Sequence, residues 1–180
     1  AHRLALRFLS FIRRRKSGVN DDSLKVQLWG KTFRNPVGLA AGFDKDAEVI
    51  APLFNMGFGF VEVGTVTPLP QPGNDRPRVF RDIANESVIN RMGFPGRGLE
   101  YFLKNIIAYR KHPAAGVLGA NIGINKGTAS PLDDYKTCFT RLAPFVDYIT
   151  VNVSSPNTAG LRNLQAKEEL DKLLGGLMAA

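Results

Sequence analysis

The sequence predicts an α/β fold built on a parallel sheet, and three observations carry that expectation. Four compact apolar runs alternate with four helix-like periods across residues 36–178. The runs are apolar almost throughout rather than alternating, the pattern of parallel strands buried on both faces. Polar residues then collect just past the end of each run, where the loops of a β/α architecture share one face.

The first segment, residues 1–16, has Ala1, Leu4, Ala5, Phe8, Phe11 and Ile12 at three- and four-residue spacing, an apolar stripe flanked by arginines. A helix lying on an anionic membrane surface has this pattern, with Arg13–Lys16 at the headgroups. A core-packed terminal helix and a cleaved Arg-rich presequence have it too. After a polar link, Leu24–Trp29 alternates and Gly30-Lys31 turns the chain back into Thr32–Phe33, a short hairpin. Pro36–Ala41 is the first apolar run, followed by a helical period from about Asp46 to Asn55. Phe60–Val66 is the second run, and a Pro/Gly-rich excursion from Thr67 to Gly98 leads to a helix over Leu99–Lys111. Val117–Ile122 and Tyr148–Val153 are the third and fourth runs, followed by helices over Leu132–Leu142 and Lys167–Met178.

Composition narrows the function classes. The 180 residues are 44% hydrophobic and 22% charged, enough to bury a core. A single cysteine excludes an intramolecular disulfide framework, and no Cys/His cluster has metal-ligand spacing, so no metal is expected. No apolar stretch approaches the roughly 18 residues a spanning helix needs. The net charge of +8 is local. Residues 1–16 hold six of the 24 cations and no acid, leaving 18 cations against 16 acids elsewhere. No groove-wide positive field results, and nucleic acid is not an expected partner.

Four β/α units fit a doubly wound sheet or half of an eight-unit barrel. Gly57 and Gly59 precede a strand rather than follow one, and Gly116, Gly119 and Gly123 match neither a dinucleotide fingerprint nor a phosphate loop. Half a barrel is the better reading. Residues 1–20 then form the helix and link, and 21–180 the barrel portion. The strand-end set lacks a carboxylate pair, and His2 and His112 lie outside the strand-end loops, so a serine triad is not built. One lysine, amides and hydroxyls remain. They suit a planar polar ring and an anionic substrate, with the hard chemistry left to a cofactor. The lone Cys138 sits on a helical period and reads as core packing.

Six strings sharpen this reading: R-N-P-V-G-L-A-A-G-F-D-K (34–45), E-V-G-T-V-T-P (62–68), Q-P-G-N-D-R-P-R-V-F-R (71–81), I-N-R-M-G-F (89–94), N-I-G-I-N-K (121–126) and N-V-S-S-P-N-T-A-G-L-R (152–162). In this order they resemble the dihydroorotate dehydrogenase family, and more narrowly its membrane-associated, quinone-reducing class 2 form. The resemblance implies a (β/α)8 TIM barrel, of which these residues cover about the first four units. It also implies FMN as cofactor, oxidation of (S)-dihydroorotate to orotate in pyrimidine synthesis, and a ubiquinone-type quinone as electron acceptor. By the same resemblance, Ala40, Ala41 and Gly42 lie against the flavin, and Thr65, Asn121 and Asn152 hydrogen-bond it. Lys45 sits between flavin and substrate. Asn90, Arg91, Met92, Gly93 and Phe94, with Asn152 and Asn157, grip the substrate, and Ser155 is the catalytic base. His2, Ala5, Phe8, Leu9, Phe43 and Arg81 match a quinone tunnel, which favours the surface-helix reading of the N-terminus. The protein is then peripheral to a membrane: the mitochondrial inner membrane in a eukaryote, the cytoplasmic membrane in a bacterium.

Two features depart from the family pattern. Isoleucine stands at 124 where many relatives carry lysine, which bears on the role of Lys126. The family's later flavin-contacting lysine, its Asn-Thr substrate motif and its phosphate-binding loops are expected beyond Ala180. Two readings follow: the N-terminal half of a working dehydrogenase, or a non-catalytic membrane-binding product whose half-barrel leaves parallel edges unpaired. A soluble class 1 relative is a third, which the N-terminal helix and Ser155 disfavour.

Overall fold

The computed structural model describes residues 2–11, 21–114, 116–158 and 160–180. Its centre is a four-stranded parallel sheet of β3 (Gly38–Leu39), β4 (Phe60–Val66), β7 (Val117–Ile122) and β8 (Tyr148–Val151), hydrogen-bonded in that order. Helices α2 (Ile50–Asn55), α3 (Gly98–Arg110) and α4 (Pro131–Leu142) make the crossovers, and α5 (Lys167–Met178) follows β8. The spatial order equals the chain order with no reversal. A doubly wound sheet reverses at its switch point, so this arc is the winding of a β/α barrel.

Burial explains the apolar runs. All six residues of β7 are buried, and Val61, Val63 and Val66 of β4 join Phe102 and Ile106 of α3 and Tyr135 and Leu142 of α4 in one core. Each fully buried large side chain contributes roughly 1.5–3 kcal/mol. Cys138 is fully buried in that core, as expected, and burial pushes its thiol up to about 12. Ile124 is buried as well and packs into the same core, so that position is apolar filling.

Three elements differ from expectation. The helix after the first strand starts at Ile50, not near Asp46, because Ala47 adopts φ +58 and the Asp44 carboxylate takes the Glu48 and Val49 N–H groups at 2.7 and 2.8 Å. The hairpin of β1 (Val26–Leu28) and β2 (Lys31–Phe33) turns at Trp29-Gly30 rather than Gly30-Lys31. Both turn residues have positive φ, 52° and 69°, and a two-residue turn of this type needs that at both positions. The Pro/Gly-rich excursion contains a hairpin, β5 (Val79–Asp82) and β6 (Ser87–Asn90), joined by a four-residue turn without an Asn-Gly signal. Its strands are mostly exposed, so no apolar alternation marked them.

Helix α1 (His2–Ser10) buries Leu6 and Leu9, whereas Leu4, Phe8 and Phe11 of the expected stripe are 72%, 69% and 82% exposed. The helix therefore has an inward and an outward apolar edge. The basic run 13–16, with residues 1 and 12, lies outside the described residues. Among the described residues, no helix is long and apolar enough to cross a membrane. At the opposite end of the sheet Asp147 receives Lys31 at 3.3 Å, Arg110 at 3.1 Å and the Leu118 N–H at 2.8 Å, tying the first hairpin and α3 to the strands.

Candidate functional site

The C-terminal strand ends surround a cavity of about 570 Å³. Ala40, Ala41, Gly42, Lys45, Thr65, Asn121 and Asn152 line it together with Ser155, Asn157, Asn90, Met92, Gly93 and Phe94. Residues spread over more than 110 positions of sequence converge there because every parallel strand ends on the same face. Arg91 is the exception in its string: its Nε donates to the Pro77 carbonyl at 3.0 Å and it does not line the cavity.

The ladder continues past β3 along Gly64 of β4 and shapes the floor. Gly42 N–H donates to Gly64 O at 2.8 Å, and Gly64 N–H donates to Asp44 O at 3.0 Å. Gly42 has φ +107, and a methyl added there meets nothing within 4 Å, so small residues leave open space at the wall. Gly64 has φ +112, and a methyl there overlaps the Asn121 carbonyl.

Asp44 caps the following turn, so its carboxylate faces backbone N–H groups and not Lys45. The Lys45 ammonium instead donates to the Gly42 carbonyl. Desolvation lowers its pKa below the ordinary lysine value, while Asp46 pulls partly the other way. A half-buried cation at a cavity wall attracts an anionic ligand.

The amide wall is one connected network. Thr65 Oγ1 donates to Asn121 Oδ1 at 2.6 Å, and Asn121 Nδ2 donates to Glu62 Oε1 at 2.8 Å. Thr150 Oγ1 donates to Glu62 Oε2 at 2.8 Å. Asn152 Nδ2 lies 3.2 Å from both Thr65 Oγ1 and Asn121 Oδ1, and its Oδ1 accepts the Ser154 N–H at 3.2 Å. Ser155 Oγ accepts the Asn157 N–H at 3.2 Å, which orients the hydroxyl in its loop.

Sequence reasoning missed three side chains here. Gln71 donates to the Gly93 and Phe94 carbonyls at 3.2 and 3.1 Å and accepts from Asn125 Nδ2 and the Lys126 N–H at 3.0 and 2.9 Å. It thereby staples the Asn90–Phe94 loop to the loop after β7. Asn74 bridges to the Asn157 carbonyl at 3.3 Å. Glu62, which also lines the cavity, was the legible one, a lone acid inside the apolar run Phe60–Val66.

A second cavity of about 910 Å³ adjoins the first, sharing Lys45, Val79, Met92 and Pro95 with it. Among the six residues matched to a quinone tunnel, His2 lines it, and His2 Nε2 lies 2.6 Å from the Phe43 carbonyl with the two rings edge to face at 5.5 Å. Ala5 and Phe8 sit on the exposed side of α1, Leu9 is buried in the core and Arg81 is exposed on β5, so the structure does not gather these four around either cavity.

A family profile described as dihydroorotate dehydrogenase matches residues 23–180. The dihydroorotate dehydrogenase (quinone) of Rhodospirillum rubrum is 50% identical over 181 residues, covering 100% of this chain and 48% of the relative. That of Mesorhizobium japonicum is 54% identical over 162 residues, covering 90% of this chain and 45% of the relative. The crystal structure of the Eimeria tenella DHODH in complex with ferulenol has a TM-score of 0.92 at 40% identity, covering 99% of this chain and 49% of that one. The chain thus spans about half the length of the curated relatives it matches.

Proposed function

The chain belongs to the dihydroorotate dehydrogenase family, and on that premise we propose that it supplies the N-terminal half of an enzyme that oxidises (S)-dihydroorotate to orotate and passes the electrons to a quinone. The observation that carries the proposal is the shared cavity. Small wall residues, a desolvated lysine, a network of amides and a loop serine line one space of about 570 Å³. The donor set fits a flavin: Ala40, Ala41 and Gly42 leave room for a flat ring, and Thr65, Asn121 and Asn152 offer hydrogen bonds to its polar edge.

FMN, when bound, accepts the hydride that the oxidation releases. The residues of this chain do the rest. Lys45 places a positive charge beside the anionic substrate. Asn90, Asn152 and Asn157 offer amides to the pyrimidine, and the Gly93–Phe94 segment, held by Gln71, closes the wall. Ser155 takes the ring proton at its Oγ, and a hydroxyl does so only in a pocket shielded from water.

The exposed edge of α1, with Leu4, Phe8 and Phe11 beside Arg3 and Arg7, suits a membrane surface. The proposed location is peripheral to a quinone-bearing membrane, the mitochondrial inner membrane in a eukaryote or the cytoplasmic membrane in a bacterium. His2 and Phe43 are the proposed quinone contacts nearest the cavities.

The test is Ser155→Ala in the full-length flavin-loaded protein. Bleaching of the flavin band by dihydroorotate is expected to slow roughly 10²–10⁴-fold, with orotate binding retained. Unchanged bleaching removes Ser155 from the role, and failure of the unsubstituted protein to bleach removes the activity.

A further inference from the structure

Glu62 lines the cavity, and its partners make it a switch of amide direction. A carboxylate only accepts hydrogen bonds. With Oε1 at 2.8 Å from Asn121 and Oε2 at 2.8 Å from Thr150, Glu62 forces the Asn121 side chain to present its NH₂ inward. Asn121 Oδ1 must then face Thr65 and Asn152, where it accepts at 2.6 and 3.2 Å. Thr65 has one hydroxyl proton, already given to Asn121, so its oxygen accepts from Asn152 Nδ2 at 3.2 Å. Both protons of Asn152 are thereby committed, and its Oδ1 turns to the Ser154 N–H. Reversing Asn121 sets its NH₂ against the NH₂ of Asn152 and leaves the carboxylate facing an amide oxygen. Every link therefore points one way, from Ser154 through Asn152, Thr65 and Asn121 to the carboxylate.

We propose that Glu62 is a positioning residue that fixes the hydrogen-bond polarity of the site. It leaves one Asn121 N–H uncommitted among the described residues, offered to a carbonyl oxygen of a ring held in the cavity. The inference rests on the functional reading above for the identity of that ring, FMN or the pyrimidine. The direction of the network rests on geometry alone.

The test uses near-isosteric variants so that packing is kept. In Glu62→Gln the amide can turn either its oxygen or its NH₂ to Asn121, because the Thr150 hydroxyl accepts as readily as it donates, and the lock is lost. In Thr150→Val the carboxylate remains and still accepts from Asn121. Thr150→Val should bind FMN to the full-length apoprotein, read by quenching of FMN fluorescence, within about threefold of the unsubstituted protein, and Glu62→Gln should bind it about tenfold or more weakly. Asn121→Ala added to Glu62→Gln should cost little more.

A cofactor-free readout separates this idea from the functional one. The Asn121 side-chain NH₂ should give one slowly exchanging pair of NMR signals in the unsubstituted protein and in Thr150→Val, and broadened or fast-exchanging signals in Glu62→Gln. An unchanged FMN affinity in Glu62→Gln, or unaltered Asn121 signals in that variant, overturns the lock. Failure of the unsubstituted protein to bind FMN, with the NMR pattern as described, overturns the flavin reading and leaves the lock standing.

Discussion

Replacing Asp44 by asparagine should remove a measurable pH dependence of folding. The carboxylate is 1% exposed and accepts backbone N–H groups from Glu48 and Val49. Burial outweighs those bonds, and the nearby Glu48 and Asp46 add to it, so the group rises from 3.8 to about 6. The folded protein thus holds this proton more tightly than the unfolded chain does. Stability from this group is fully present below the unfolded value of 3.8 and is lost as pH rises through about 6. A shift of about two pK units corresponds to about 3 kcal/mol. Roughly 2 kcal/mol of it disappears between about pH 4 and pH 7. In Asp44→Asn the dependence vanishes, and an NH₂ set against a backbone N–H adds a pH-independent cost of about 1–3 kcal/mol. Urea unfolding of both proteins across this range measures the difference directly. The stability of the unsubstituted protein minus that of the variant should fall by roughly 2 kcal/mol as pH rises. A flat difference, or one that grows with pH, refutes the assignment of a strained, buried carboxylate.

Asp147 has the opposite sign. Desolvation pushes it up, but the Leu118 N–H and Arg110 outweigh that and hold it below the ordinary carboxylate value, so its stabilisation is present above that value and is lost on acidification. Asp147→Ala should cost about 2–4 kcal/mol in urea unfolding at neutral pH, because Arg110, Lys31 and a backbone N–H lose a shared acceptor. Gln71→Ala releases the Gly93 and Phe94 carbonyls, and hydrogen exchange across residues 90–96 should quicken about tenfold with little change in global stability. Cys138, buried and with its thiol pushed up to about 12, should resist aromatic disulfide reagents in the folded protein and react promptly in denaturant.

The elements whose burial is two-sided were the most legible. Val117–Ile122 is apolar because both faces are covered, Phe60–Val66 carries Val61, Val63 and Val66 buried among partly buried residues, and the structure has the strands at those bounds. The exposed hairpin Val79–Asp82 and Ser87–Asn90 was not legible, since neither strand carries a buried face to pattern it. Helix α1 divides in the same way: Leu4, Ala5, Phe8 and Phe11 of the stripe read from spacing form an exposed edge, and the inward packing falls on Leu6 and Leu9.

At the cavity, residue types and strand ends were readable in advance because each sits in a local string. By itself the sequence determined the alternation of strand and helix, the polar strand ends and the family resemblance, since periodicity and short motifs are properties of neighbouring residues. Tertiary structure alone decided that the four strands wind without reversal, that Asp44 turns from Lys45 to the backbone, that Gln71 bridges two loops, and that Glu62 governs the direction of Asn121. Those outcomes depend on hydrogen bonds between residues as many as 88 positions apart, and no local pattern records which donor meets which acceptor across the sheet.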